Sequence, residues 1–95
     1  MYCKLTDQNL QTHNNFQWEL GEWYEIPKED QGGNLCSSSW FHCYNDPRLA
    51  VIFNPIHTNF NNPRLFEIEV EGNCKEDKNV KFGFTKMRLV KERLL

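Results

Sequence analysis

LCSSSWFHCYNDP, residues 35–47, sets Cys36, His42 and Cys43 within eight residues, next to Trp40 and Phe41. Thiol and imidazole side chains beside bulky aromatics are what a small domain uses to hold a buried zinc ion. The end of the stretch reads as a helix start. Asp46 can accept hydrogen bonds from exposed amides, and Pro47 suits the first helical position. A strand over Trp40 to Tyr44 therefore runs into a short helix over Arg48 to Phe53 (RLAVIF), stopped by Asn54 and Pro55. That helix is apolar enough to pack on a sheet.

Upstream, Lys28 to Asn34 is a polar connection that bends at Gly32 and Gly33. Before it, Phe16, Trp18 and Leu20 alternate with Gln17 and Glu19, the period of a half-buried strand. Gly21 breaks that run, and Glu22 to Ile26 resumes it until Pro27. Tyr2 to Thr6 reads as the first strand. Downstream, residues 58–63 read as a loop, and Arg64 to Val70 is the cleanest strand of the chain. Phe66, Ile68 and Val70 share one face there, and Glu67, Glu69 and Glu71 the other. Residues 72–79 form a charged turn. Val80, Phe82 and Phe84 open a closing strand whose apolar phase then shifts to Met87 and Leu89, which means a bulge at Gly83–Thr85 or a terminal helix, and a long, bulged strand is the reading preferred. The order of elements predicts one α+β domain over residues 1–95. It is a small, mainly antiparallel sheet with one short helix packed on it, stabilised by zinc.

With 95 residues, 39% hydrophobic and 14% aromatic, the chain can build one compact core but not two. A metal or cross-link would help a core of that size. The formal charge of −2 argues against a protein that binds nucleic acid by massed phosphate neutralisation. No stretch approaches the length of a membrane span, and residues 1–10 lack the apolar segment of a signal peptide. The four cysteines are thus expected in a reducing cytosol, where metal binding outranks disulfides.

A closed zinc site takes four ligands. Cys36 and His42 have a tolerable spacing, and His13 stands just before a strand expected near the knot. Cys43 follows His42 directly. Neighbours on a regular strand point to opposite faces, so both reach one ion only if the strand kinks. Cys43, Cys74 or Cys3 can complete the set. The alternative is that these are ordinary buried cysteines with a surface histidine. A nucleophilic cysteine beside His42 or His57 would need a lowered thiol pKa and an orienting third group, which nothing here marks; His57 reads as solvated. No catalytic set and no cofactor-binding loop is recognised. Glu67 and Glu69 are the candidate partner contacts, on a face that an ordinary solvated surface also explains.

The chain also resembles a known family. Phe16-Gln17, Gly21 and Tyr24, then Leu35-Cys36, Phe41-His42 and Pro47, then Arg64 to Gly72 and Lys81 to Val90 fall in the order of a small domain of unknown function common in phage genomes. The likeness covers roughly residues 10–93. Many members carry a cysteine just before the Phe-Gln pair, near His13, so the resemblance implies a metal site of His13, Cys36, His42 and one further cysteine, Cys43 in the first place. Two positions depart from the pattern: Trp40 replaces a glycine, and Cys43 precedes the place of the second cysteine, where this chain has Tyr44. Length, mild acidity and pattern are also similar to type II-A anti-CRISPR proteins of streptococcal phages. That resemblance implies a zinc-containing, non-enzymatic, monomeric inhibitor in the host bacterial cytoplasm. It would bind a type II CRISPR effector nuclease and block target-DNA loading, with no direct contact to nucleic acid and none to membrane. Two other readings stand beside it. One is an ADP-ribosyltransferase-like phage enzyme. The other is a zinc module that binds nucleic acid, with Trp18, Trp23 and Trp40 as stacking platforms and Arg88, Lys91 and Arg93 on phosphates; core packing of the tryptophans is the plainer account.

Overall fold

The computed structural model describes residues 1–35, 37–54, 60–78 and 80–94. Cys36, His57 and the start of the loop expected over 58–63 lie outside the described residues. The strands are Tyr2–Thr6 (β1), Gln11–Thr12 (β2), Phe16–Gln17 (β3), Trp23–Glu25 (β4), Phe41–Tyr44 (β5), Arg64–Asp77 (β6) and Lys81–Arg93 (β7), and the helix is Pro47–Phe53 (α1). This is a small, mainly antiparallel sheet with one short helix, the α+β class that the sequence predicts.

Strand pairing closes on itself. β1 pairs along its whole length with β6, and β6 pairs with β7. β7 pairs with β5, and β5 returns to β1 where Tyr44 stands opposite Cys3. β4 is added along β7, with Trp23 opposite Arg88. The closed circuit explains why β1 is buried on nearly every residue although it alternates in sequence. One of its faces looks into the circuit and the other lies under α1.

Two apolar clusters fill these spaces. Inside the circuit sit Phe41, Cys43, Phe66, Ile68, Phe82, Phe84, Met87 and Leu89, joined by Trp18 and Ile26 from the loops. Between sheet and helix sit Cys3, Leu5, Tyr44, Ala50 and Leu65. Met87 and Leu89 are wholly buried, so truncating either to alanine costs about 2–5 kcal/mol. The helix starts as its sequence dictates. The Asp46 carboxylate accepts from the Arg48 amide at 2.8 Å, and Pro47 fills the first turn. Ala50 faces the sheet, while Val51 and Ile52 face out.

Three segments differ from expectation. Of residues 16–20 only Phe16 and Gln17 are strand, in a small hairpin with β2. Trp18 is buried at 1% exposure, while Phe16 and Leu20 are 37% and 55% exposed. The tight turns at Leu10, Asn14 and Asn15, all at positive φ, fold this region back on itself before a longer strand can form. Second, the expected charged turn is mostly strand, since β6 runs on to Asp77 as half of a long ribbon with β7. Third, the bulge next to the phase shift of β7 lies in the partner strand and not in β7. The extra residue lies in β6 between Glu71 and Cys74, at Gly72 with φ 82°. Phe82 and Phe84 before this point, and Met87 and Leu89 after it, all enter one cluster.

Candidate functional site

A concavity of about 750 Å³ opens where β5 meets β1. That is the size of a small-molecule site. Its walls come from β1, the His13–Asn15 turn, the start of β5, α1 and the first residue of β7. The ionisable groups that line it are Lys4, His13, His42, Tyr44 and Lys81, and among the described residues no carboxylate joins them. In a chain of net charge −2, two lysines thus meet in one hollow with no carboxylate beside them among the described residues.

His42 is held by its backbone. One-to-one pairing of His42, Cys43 and Tyr44 with Gly83, Phe82 and Lys81 keeps β5 regular, so its side chains alternate. His42 and Tyr44 therefore face the cavity side, and Cys43 joins the cluster inside the circuit. The His42 Nε2 lies against the Leu35 carbonyl. A carbonyl only accepts, so Nε2 carries the proton and Nδ1 keeps a lone pair. Burial above all, then the charges of Lys4, Lys81 and His13, lowers the imidazole pKa to about 4, against the pull of the Leu35 carbonyl. His42 is thus neutral at physiological pH.

Lys4 is the unexpected member. Its ammonium donates to the His42 carbonyl and stands 5.5 Å from the Trp18 ring centroid. β1 and β5 share a single register pair, and the Lys4 side chain supplies a further tie between them. Burial lowers its pKa to about 8. The rims are aromatic. Phe16 packs one edge against Trp18, Tyr24 and Phe41 at centroid distances of 5.1, 5.4 and 5.4 Å, and its exposed part borders the cavity. Trp40 is fixed by donating from Nε1 to the Gly33 carbonyl at 3.0 Å. Gly83, paired with His42, lies close against it: a Cβ there would stand 2.8 Å from the Trp40 Cβ and 2.7 Å from a Leu35 methyl.

Of the four expected metal ligands, His13 and His42 line this one cavity. Cys43 is turned away into the core, where burial pushes its thiol up to about 12. The kink that would have brought it beside His42 is not made. Cys36 lies outside the described residues. Cys3, a considered fourth ligand, is buried under the helix with its thiol pushed up to about 11, and Cys74 is exposed on the far ribbon. Among the described residues no three His, Cys, Asp or Glu side chains converge as a cation site.

The acidic strip is not a free face. Glu67 pairs with Arg93 at 3.3 Å and Glu71 with Lys86 at 3.3 Å, while Glu69 takes the Arg88 Nε at 2.7 Å. Each carboxylate meets a cation across the β6–β7 ribbon, which makes a charge mosaic. The tryptophans are likewise engaged. Trp18 is core and donates to the Thr12 hydroxyl at 2.9 Å, Trp40 is buried, and Trp23 lies under Arg88 and Lys86 at 4.7 and 5.3 Å.

Lys4, Tyr44 and Lys81 are the site residues that sequence reasoning missed. The signal for Lys4 was a lysine inside an otherwise apolar strand. For Tyr44 it was the alternation that puts it, not Cys43, on the face of His42. Among the described residues no helix is long and apolar enough to cross a membrane. A sequence model for a family described as a domain of unknown function (DUF7666) matches residues 1–95, the whole chain. No curated protein and no solved structure matches.

Proposed function

The chain belongs to this family of domains of unknown function, and from its geometry we propose that it is a non-catalytic binding module for an anionic group carried on an apolar or aromatic body. The observation that carries this reading is the cavity of about 750 Å³ whose ionisable lining holds lysines, histidines and a tyrosine but no carboxylate among the described residues. Uncompensated cations in a low-dielectric hollow attract a counter-charge more strongly than the same cations on an open surface. Aromatic walls give the apolar part of a ligand area to bury.

The same groups are poorly set for turnover. A base needs its lone pair aimed at a proton, and a nucleophile needs a lowered pKa. His42 has one nitrogen committed to a carbonyl, the Lys4 ammonium is committed to another, and the Cys3 and Cys43 thiols are raised by burial. These features suit recognition. The nuclease-inhibitor role that the phage likeness implies also works by occupancy, but it draws no support from Glu67 and Glu69, which are paired with Arg93 and Arg88.

The test uses 1-anilinonaphthalene-8-sulfonate, an aromatic sulfonate, against N-phenyl-1-naphthylamine, its uncharged counterpart. Saturable binding of the sulfonate at one per chain, lost in Lys81→Gln, supports the reading. Equal binding of both dyes, or none of the sulfonate, overturns it.

A further inference from the structure

We infer that the natural occupant of the cavity is a nucleoside phosphate, either free or as the phosphorylated end of a single strand. This deepens the anion-binding reading and rests on it. Three features of the lining select that ligand class. The first is the kind of apolar wall. Among the described lining residues, Phe16, Trp40, Phe41, Tyr44 and Phe60 bring aromatic rings, against Leu5, Ile26, Pro27 and Ala50 as the aliphatic walls that an acyl chain would call for. Aromatic side chains stack on every base without regard to sequence.

The second feature is where the charge stands. Lys81 opens β7 directly opposite Tyr44 and borders the cavity with His13. An ammonium is a compact point charge with three rotatable donors, suited to a phosphate that it meets end on. The third is the polar remainder. His42 keeps one nitrogen as an acceptor, and Ser38 borders the same space. These are the modest hydrogen-bonding groups that a ribose or a base edge uses. The volume of about 750 Å³ lies within the range that encloses a mononucleotide and does not accommodate a duplex. The mild negative charge of the whole chain fits this as well. A single phosphate is captured by a local site, with no basic stripe to follow a long backbone.

The experiment displaces the bound aromatic sulfonate from the full chain with uridine 5′-monophosphate, adenosine 5′-monophosphate, uridine, inorganic phosphate and a 5′-phosphorylated tetranucleotide. Displacement by a nucleotide at least 10-fold better than by uridine or phosphate alone is expected, because base and phosphate are held together. A tetranucleotide that outcompetes the mononucleotides identifies a strand end as the source; the reverse order identifies a free nucleotide. In Lys81→Gln, which no longer holds the sulfonate, direct calorimetric titration is expected to show nucleotide binding weakened about 10-fold while uridine is unaffected. Phe16→Leu, at a partly exposed ring, is expected to weaken both several-fold. If the sulfonate binds saturably yet no nucleotide displaces it, the ligand class is wrong while the anion site stands. If the sulfonate itself does not bind, the broader reading falls first. If phosphate displaces as well as nucleotide, stacking plays no part and the inference is overturned.

Discussion

Replacing Lys4 by methionine tests the buried ammonium that ties β5 to β1. The substitution keeps the apolar stem and removes the charge. Burial lowers the Lys4 pKa from its ordinary 10.5 to about 8. The folded chain therefore releases this proton before the unfolded chain does, so between those values the unfolded state binds more protons and stability rises with pH. A displacement of that size corresponds to about 3 kcal/mol, gained between pH 8 and 10.5 and absent below pH 8, where both states are charged. Other groups work against it in the same window. The Cys3 and Cys43 thiols, raised from 9.0 to about 11 and about 12, lose stability as pH climbs above 9, because the unfolded chain then ionises first. Tyr44, raised to about 12, does the same from 10 upward. The wild-type curve is thus a sum of opposed slopes, and the difference from Lys4→Met isolates the lysine. Urea unfolding followed by tryptophan fluorescence at pH 7.5, 8.5, 9.5 and 10.5 measures it. The stability of wild type relative to the variant should grow by about 3 kcal/mol across that series. A difference that stays flat would refute the reasoning, since an ammonium reached by water titrates alike in both states.

Three further outcomes are expected. Under native conditions a thiol reagent should modify Cys74 quickly and reach Cys3 and Cys43 only on unfolding, as peptide mapping would show. Gly83→Ala should lower stability by about 1–3 kcal/mol, read as a fall in the urea midpoint, because its Cβ would strike Trp40 and Leu35 across the sheet. Cys43→Ala should leave any zinc carried by the purified chain unchanged, measured by atomic emission on refolded protein, because that thiol faces the core while His42 faces the cavity.

What could be read from the sequence was local. Tyr2–Thr6 and the Asp46–Pro47 helix start depend on neighbours in the chain, and both stand as their chemistry dictates. The adjacency of His42 and Cys43 already implied opposite faces, and the regular register of β5 enforces them. What could not be read was long-range. Phe16, Trp18 and Leu20 alternate, yet only Trp18 is buried, because turns at Leu10 and Asn14 place the segment outside the main sheet. The charged residues after Gly72 looked like a turn, but in a ribbon with exposed faces they continue a strand. Lys4 reads as a solvated lysine until the circuit of four strands closes over it. The candidate metal residues were half legible: His13 and His42 share the cavity, and the alternation that separates Cys43 puts Tyr44 in its place.

The most direct measurement is a residue-resolved titration of isotope-labelled protein with uridine 5′-monophosphate, followed by amide and imidazole resonances. Saturable shifts are expected at Lys4, His13, Phe16, His42 and Lys81, which surround one hollow. Shifts confined to the β6–β7 ribbon around Glu69 and Arg88, or none at saturating nucleotide, would contradict it.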